Sequence, residues 1–254
     1  MTSSNLLLGF VFIFGCLIGS YLAVVIDRYG TKRSANSGRS SCNHCHRTLT
    51  IRDLMPLFSY ILLRGRCRSC HKPISWQNFV IELLAGVGAA LIFWQVGFGW
   101  VTVGLVIAFW IGLVIFWIDL RDYIIPDGAV LALLGAALLV RLGAFPTLES
   151  GLIGALVGTG ILGSLVLVTR GRGMGLGDVK LALPLGLLLG WPGILLGLFL
   201  AFILGSLVGV GLILAHRRGW RDAVPFGPFL LVGATLAMIW GDSLLTWYLG
   251  RAFL

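Results

Sequence analysis

Apolar residues run in long blocks along this chain, and polar residues are gathered between them. A helix needs about 20 apolar residues to cross the hydrocarbon core of a bilayer. Leu6 to Ile26 is the first such block, and a polar stretch follows until about Trp76. Further blocks lie at 79–96, 100–119, 128–143, 151–169, 179–190, 192–215 and 225–248, which predicts eight membrane spans. The blocks at 128–143 and 179–190 are short, so their ends are soft and a seven-span count stays open. No basic segment precedes the first block and no small-residue cleavage site follows it, so it reads as a retained helix. This divides the chain into a first transmembrane helix at 1–26, a polar insertion at 27–78 and a seven-helix membrane domain at 79–254.

Composition supports the same picture. Of 254 residues, 58% are hydrophobic and 11% charged, and mean hydropathy is +0.98. A soluble domain carries about 25% charged residues, so an ordinary soluble enzyme, a disordered chain and a secreted disulfide scaffold are excluded. The 36 glycines suit helices that approach closely within lipid. A net charge of +9 suggests nucleic acid at first sight, but the basic residues sit in loops beside apolar blocks and follow topology instead. With eight spans, all of the 19 Lys and Arg residues except Arg141 and Arg251 fall on the side that holds 27–78. The positive-inside rule makes that side cytoplasmic and puts both termini outside. A seven-span count would misplace the Arg217, Arg218 and Arg221 cluster. The predicted class is an all-α membrane protein of about eight transmembrane helices, with a small cytoplasmic insertion between helices one and two.

Four of the five cysteines lie in that insertion, as Cys42-x-x-Cys45 and Cys67-x-x-Cys70 with 21 residues between the pairs. Two pairs at this spacing offer four soft ligands, which suits tetrahedral Zn²⁺. A reducing compartment disfavours two disulfides. A segment of about fifty residues scarcely builds its own core, so a metal staple has a structural purpose. A redox role for either pair is the weaker reading. His44, His46 and His71 stand beside the cysteines as alternative ligands, though four cysteines already complete the tetrahedron. Cys16 lies in an apolar helix and reads as a packed side chain.

Carboxylates are scarce, ten in all, and an ionisable group within a span is a functional hypothesis by default. Asp119 ends the third block and Asp178 opens the sixth, so both lie at the cytoplasmic end of their helices, at similar depth. Two carboxylates held close share a proton. The ionised member then takes a proton from water while the protonated member polarises a peptide carbonyl. The bland alternative is that each caps its helix or pairs with Arg121 or Lys180. Asp127 suits the N-cap of the fourth span, Asp122 a solvated loop or a support for the pair, and Glu82 either a boundary position or a polar group facing the site. Arg141 can snorkel outward. No Ser-His-Asp set or phosphate loop is present, and the alternate glycines from Gly171 to Gly177 do not match G-x-G-x-x-G.

Three segments together resemble the type IV prepilin peptidases. Gly175-Leu-Gly177-Asp178-Val-Lys180 is similar to the G-x-G-D motif of intramembrane aspartic proteases. Ile118-Asp119-Leu-Arg-Asp122-Tyr-Ile-Ile-Pro126-Asp127 resembles that family's first catalytic segment. The cysteine pairs around Leu62-Leu-Arg64-Gly-Arg66-Cys67-Arg-Ser-Cys70, followed by Glu82-Leu-Leu, resemble its cytoplasmic domain. The resemblance implies a bacterial inner-membrane aspartic protease that removes the basic leader from prepilins and pseudopilins, with Asp119 and Asp178 as the catalytic pair. It also implies methylation of the new N-terminus with S-adenosylmethionine. Arg52-Asp53-Leu-Met-Pro56 departs from the more frequent Asp-Asn-Ile-Pro pattern, and no residue is named for the methyl transfer. Two readings from other classes stand beside it: a small transporter using the aspartates as a proton relay, and a zinc-stapled assembly protein without catalysis.

Overall fold

A computed structural model of the protein describes residues 3–31, 39–42, 44–143, 148–216 and 224–252. The chain forms two compact units, Met1–Val114 and Ile115–Leu254. Helices follow one another as α1 (Ser3–Arg28), α2 (Phe58–Leu62), α3 (Trp76–Val96), α4 (Trp100–Asp122), α5 (Asp127–Gly143), α6 (Leu148–Thr169), α7 (Leu176–Leu189), α8 (Gly193–Leu214) and α9 (Gly227–Ala252), with a 3₁₀ turn at Ile51–Asp53. Setting aside the five-residue α2, eight helices stand where the eight apolar blocks were read. Helices α1, α3, α4, α6 and α8 are each long and apolar enough to cross a bilayer, so this is an integral membrane protein. The two soft blocks became α5, of 17 residues, and α7, of 14.

In the first unit α1 and α3 pack through small residues. A Cβ added at Gly19 would meet the Ala85 side chain at 2.8 Å, and one at Gly15 would meet the Ala85 carbonyl oxygen at 2.8 Å. Gly86 returns the contact by lying against Cys16 Sγ, and Cys16 is 4% exposed, a packed side chain as its surroundings in the sequence suggested. Close backbone approach of this kind is how helices gain contact where lipid offers no hydrophobic drive. The N-terminal half of α4 joins through Trp110, whose indole N–H donates to the Ala85 carbonyl at 3.1 Å.

The insertion is built from two equivalent turns, 25 residues apart in sequence. In the first, the Cys42 amide donates to Arg47 and the His46 amide to the Cys42 carbonyl; in the second, Cys67 donates to Lys72 and His71 to Cys67. The outer rungs match too, from Leu49 to Ser40 and from Ile74 to Gly65. His46 and His71 occupy the same left-handed position, with φ of 55° and 56°. Asp53 ties the 3₁₀ turn to the second of these turns. It accepts from the Thr50 hydroxyl at 2.7 Å and amide at 3.1 Å, and pairs with Arg68 Nε at 2.9 Å. The Thr50 hydroxyl first, with the Thr50 amide and the Arg68 charge, holds its carboxyl below the ordinary range. In the segment that departs from the family pattern, Asp53 is thus a local cap.

In the second unit α7 is the central element, packed against α5, α6, α8 and α9. Asp178, Leu181, Ala182 and Pro184 to Leu188 are all buried. At about 1.5 Å per residue it spans roughly 21 Å, short of the ~30 Å hydrocarbon core. A helix apolar all round belongs inside a bundle. It crosses α6 where Gly186 meets Gly154 backbone to backbone. Arg141 of α5 donates to the Leu187 and Leu188 carbonyls at 2.6 and 2.8 Å, satisfying acceptors that the end of α7 leaves open. Its guanidinium therefore faces α7, where the sequence suggested an outward snorkel.

Candidate functional site: two buried aspartates and a four-cysteine cluster

Asp119 sits in the last turn of α4, on the face that also buries Ile115 and Ile118 at 0% and 1% exposure. Asp178 sits in the first turn of α7 and belongs to the cap of that helix. The two carboxylates are 4% and 7% exposed and lie within electrostatic reach of each other. The neighbouring cations are paired elsewhere. Arg121 makes a two-pronged contact with Asp122 at 2.7 and 2.9 Å, and Lys180 bridges to Asp127 at 2.7 Å. Asp127 is the first residue of α5, 70% exposed, and links α5 to α7 instead of serving as an N-cap. The capping alternative holds in part for Asp178, because Oδ2 accepts from the Gly175 amide at 3.3 Å. Asp119 Oδ2 is buried with no hydrogen-bond partner among the described residues. A buried orphan oxygen costs about 1–3 kcal/mol, so this atom marks a place that something else must satisfy.

Glycine shapes the space around both groups. A Cβ at Gly227, the first residue of α9, would stand 2.5 Å from Asp119 Oδ2 and 3.1 Å from Ile125 Cδ1. A Cβ at Gly177 would stand 3.2 Å from Ile125 Cβ. Ile125, in the loop between α4 and α5, is thus wedged between the glycine beside Asp178 and the glycine that faces Asp119. Neither Gly227 nor Ile125 was singled out by reading the sequence. The available signal was the Pro225-Phe-Gly227-Pro228 run, where a glycine stands between prolines at the start of an apolar block.

The cysteines of the insertion converge. The four Sγ atoms lie within 4.8 Å of one another, and Cys42 and Cys70 are 3.8 Å apart. Zinc–sulfur bonds of ~2.3 Å in a tetrahedron place the sulfurs about 3.8 Å apart, so the residues present fit a metal. The Cys45 and His44 amides aimed at Cys42 hold its thiol down to about 6. The Cys70 and Ser69 amides likewise lower Cys67. Backbone donors favour the thiolate at these two, while desolvation and the neighbouring thiols push Cys70 up to about 11. The histidine turns are accounted for by backbone conformation, and the cluster needs no nitrogen ligand.

Beside the cluster is a cavity of 640 Å³, bounded by the C-terminal end of α1, the insertion and the first turns of α3. Ser20, Asp27, Tyr60, Asn78, Phe79 and Glu82 contribute to its wall. Glu82, left open between two roles by the sequence, accepts the Leu57 amide at 2.8 Å and so caps α2.

The comparisons with known proteins match the chain in two parts. Residues 13–96 match the bacterial Peptidase A24 N-terminal domain and residues 106–210 the type IV leader peptidase family. A prepilin leader peptidase/N-methyltransferase of Aeromonas hydrophila is 35% identical, over 94% of this chain and 92% of its own length. The chain belongs to the type IV leader peptidase family. Type IV leader peptidases similar to it extend across distant bacteria. The relative of the same name in Stutzerimonas stutzeri is 31% identical over 93% of this chain and 92% of its own length. That in Bacillus subtilis (strain 168) is 30% identical over 97% and 99%. The resemblance read from three short segments is thereby borne out. No solved structure matches the chain.

Proposed function

We propose that this leader peptidase is a membrane aspartic endopeptidase that removes the basic leader from prepilins and pseudopilins, with Asp119 and Asp178 as its catalytic pair. The observation that carries the reading is the pair of buried carboxylates on α4 and α7, one oxygen of which has no hydrogen-bond partner among the described residues. In the mechanism, one carboxylate accepts a proton from water as the water oxygen bonds to the scissile carbonyl carbon. The other, protonated, donates to the carbonyl oxygen. Collapse of the tetrahedral intermediate breaks the carbon–nitrogen bond, and the departing nitrogen takes up a proton from the pair. A helical substrate must expose its carbonyl, and Gly175, where an added Cβ would meet no described atom closer than 3.6 Å, leaves room for a backbone to approach.

The charge asymmetry supports the bacterial inner membrane, with the insertion and the aspartates on the cytoplasmic side and both termini opposite. The leader of a substrate held there is basic, and its cleavage point lies at the membrane boundary. The 27–78 segment is a unit stapled by zinc on Cys42, Cys45, Cys67 and Cys70, where the metal supplies cross-linking and no chemistry. The second activity is transfer of a methyl group to the new N-terminal amine. S-adenosylmethionine, when bound, supplies that methyl group. The 640 Å³ cavity lies within the ~300–1,000 Å³ range of ligand pockets. Its Tyr60 and Phe79 rings, 5.0 Å apart, offer a flat apolar wall, and Asp27 and Glu82 offer acceptors for cationic groups.

The test is intact-mass analysis of a purified prepilin incubated with this protein and S-adenosylmethionine. The reading expects loss of the leader followed by addition of one methyl group. A product without the methyl group limits the function to proteolysis. No cleavage of several prepilins by folded, metal-loaded protein would move the assignment to ion transport, tested next by flux into vesicles.

A further inference from the structure

The segment from Ile51 to Leu62 presents an apolar face that nothing among the described residues covers. Ile51 is 86% exposed, Met55 47%, Phe58 56%, Ile61 62% and Leu62 65%. Surface side chains of this size, grouped over twelve residues, mark an interaction site. The level at which the segment lies points to the occupant. Trp76 opens α3 and is 64% exposed, where an amphipathic aromatic marks the membrane–water boundary. Phe79 and Glu82 follow three and six residues on, about 4.5 and 9 Å deeper along the axis at 1.5 Å per residue. Both hold the segment. The Phe79 ring packs on Tyr60 at 5.0 Å, and Glu82 accepts the Leu57 amide at 2.8 Å. Amphipathic segments that lie in the interface bury their apolar face about 5–10 Å into the headgroup and acyl boundary. The segment is pinned at that depth. Its polar border is basic, since Arg52, Arg64 and Arg66 are all exposed.

We propose that residues 51–66 form an interfacial anchor. The face of Met55, Phe58, Ile61 and Leu62 lies in the headgroup layer of the leaflet that α1 and α3 cross, and Arg52, Arg64 and Arg66 hold anionic lipid phosphates. The anchor fixes the cysteine insertion flat against the bilayer and holds independently of the catalytic reading.

The whole protein is reconstituted in nanodiscs doped with phosphatidylglycerol bearing a diazirine near the acyl carbonyl, irradiated, and mapped by peptide mass spectrometry. Lipid adducts are expected on Met55–Leu62, alongside those on α1 and α3 that serve as the internal control. Phe58→Asp/Ile61→Asp is expected to lower the former about tenfold or more while metal content and the α3 adducts stay unchanged. Arg64→Gln/Arg66→Gln is expected to remove the preference for anionic over zwitterionic probe lipid, about fivefold per arginine. Labelled α3 with an unlabelled 51–66 segment would overturn the proposal. So would protection of that segment only after addition of a substrate protein, which would assign the face to protein docking. Adducts indifferent to lipid charge would overturn the role given to the arginines.

Discussion

Gly227→Ala is the smallest change that reaches the aspartate pair without touching either carboxylate. The new methyl group would stand 2.5 Å from Asp119 Oδ2 and 3.3 Å from Cγ, with Ile125 Cδ1 at 3.1 Å. Ordinary contacts of this kind sit at about 3.5 Å, so the carboxylate must move by roughly 1 Å. It has little room, since Asp119 is 4% exposed. Overpacking costs about 1–3 kcal/mol. Gly227 is the first residue of α9 and precedes Pro228, outside the helix interior where alanine gains over glycine, so stability should fall by about that amount. Catalysis should not be spared, because a displacement of about 1 Å costs roughly 100-fold in rate, near 2.7 kcal/mol of barrier. The assay is initial-rate cleavage of a purified prepilin in detergent micelles, separating kcat from KM, with thermal unfolding followed in parallel. The expected result is a fall of kcat by about two orders of magnitude with KM nearly constant. Gly209→Ala, where an added Cβ meets nothing within 4 Å, is the matched control and should cleave normally. A folded Gly227→Ala protein with wild-type kcat would refute the argument that this glycine sets the position of Asp119.

Replacing Cys42, Cys45, Cys67 and Cys70 together by serine should remove the bound metal and expose the insertion to protease; an unchanged zinc content by mass spectrometry would refute the site. Metal-stripped wild-type protein should rebind zinc less completely as pH falls, because protons compete with the metal for all four thiolates, measured by equilibrium dialysis. Gly186→Val should lower the unfolding temperature by an amount equal to about 1–3 kcal/mol, because its side chain would enter the Gly154 and Ala155 backbone of α6. A wild-type melting curve would show that α6 and α7 do not cross as described.

Features carried by residues close in sequence were legible before any coordinates. The cysteine pairs are local, and so are the motifs around Asp119 and Asp178; the apolar blocks gave all eight long helices. What escaped depends on contacts between distant residues. Arg141 reaches carbonyls 46 and 47 positions away, and Glu82 reaches an amide 25 positions away. Neither partner is a side chain, so no complementary residue in the sequence announces the bond. Gly227 faces Asp119 from another helix, and the Pro-Phe-Gly-Pro context showed only that a helix starts there. The packed faces were hidden for a further reason. These helices are apolar nearly all round, so hydrophobic periodicity does not say which stripe meets protein and which meets lipid. Small residues do carry that information, as at Gly86 and Gly186, but only once the partner helix is known.

The central claim is that Asp119 and Asp178 together cut the leader from a prepilin. Its most direct test is intact-mass analysis of one purified prepilin incubated with wild type, Asp119→Asn and Asp178→Asn proteins, each shown to be inserted and metal-loaded. An amide keeps the shape of each side chain but can neither ionise nor pass a proton, so each variant alone should abolish cleavage. The account predicts a shortened product with the wild type and uncut substrate with both variants. A shortened product from either variant at the wild-type rate would contradict it.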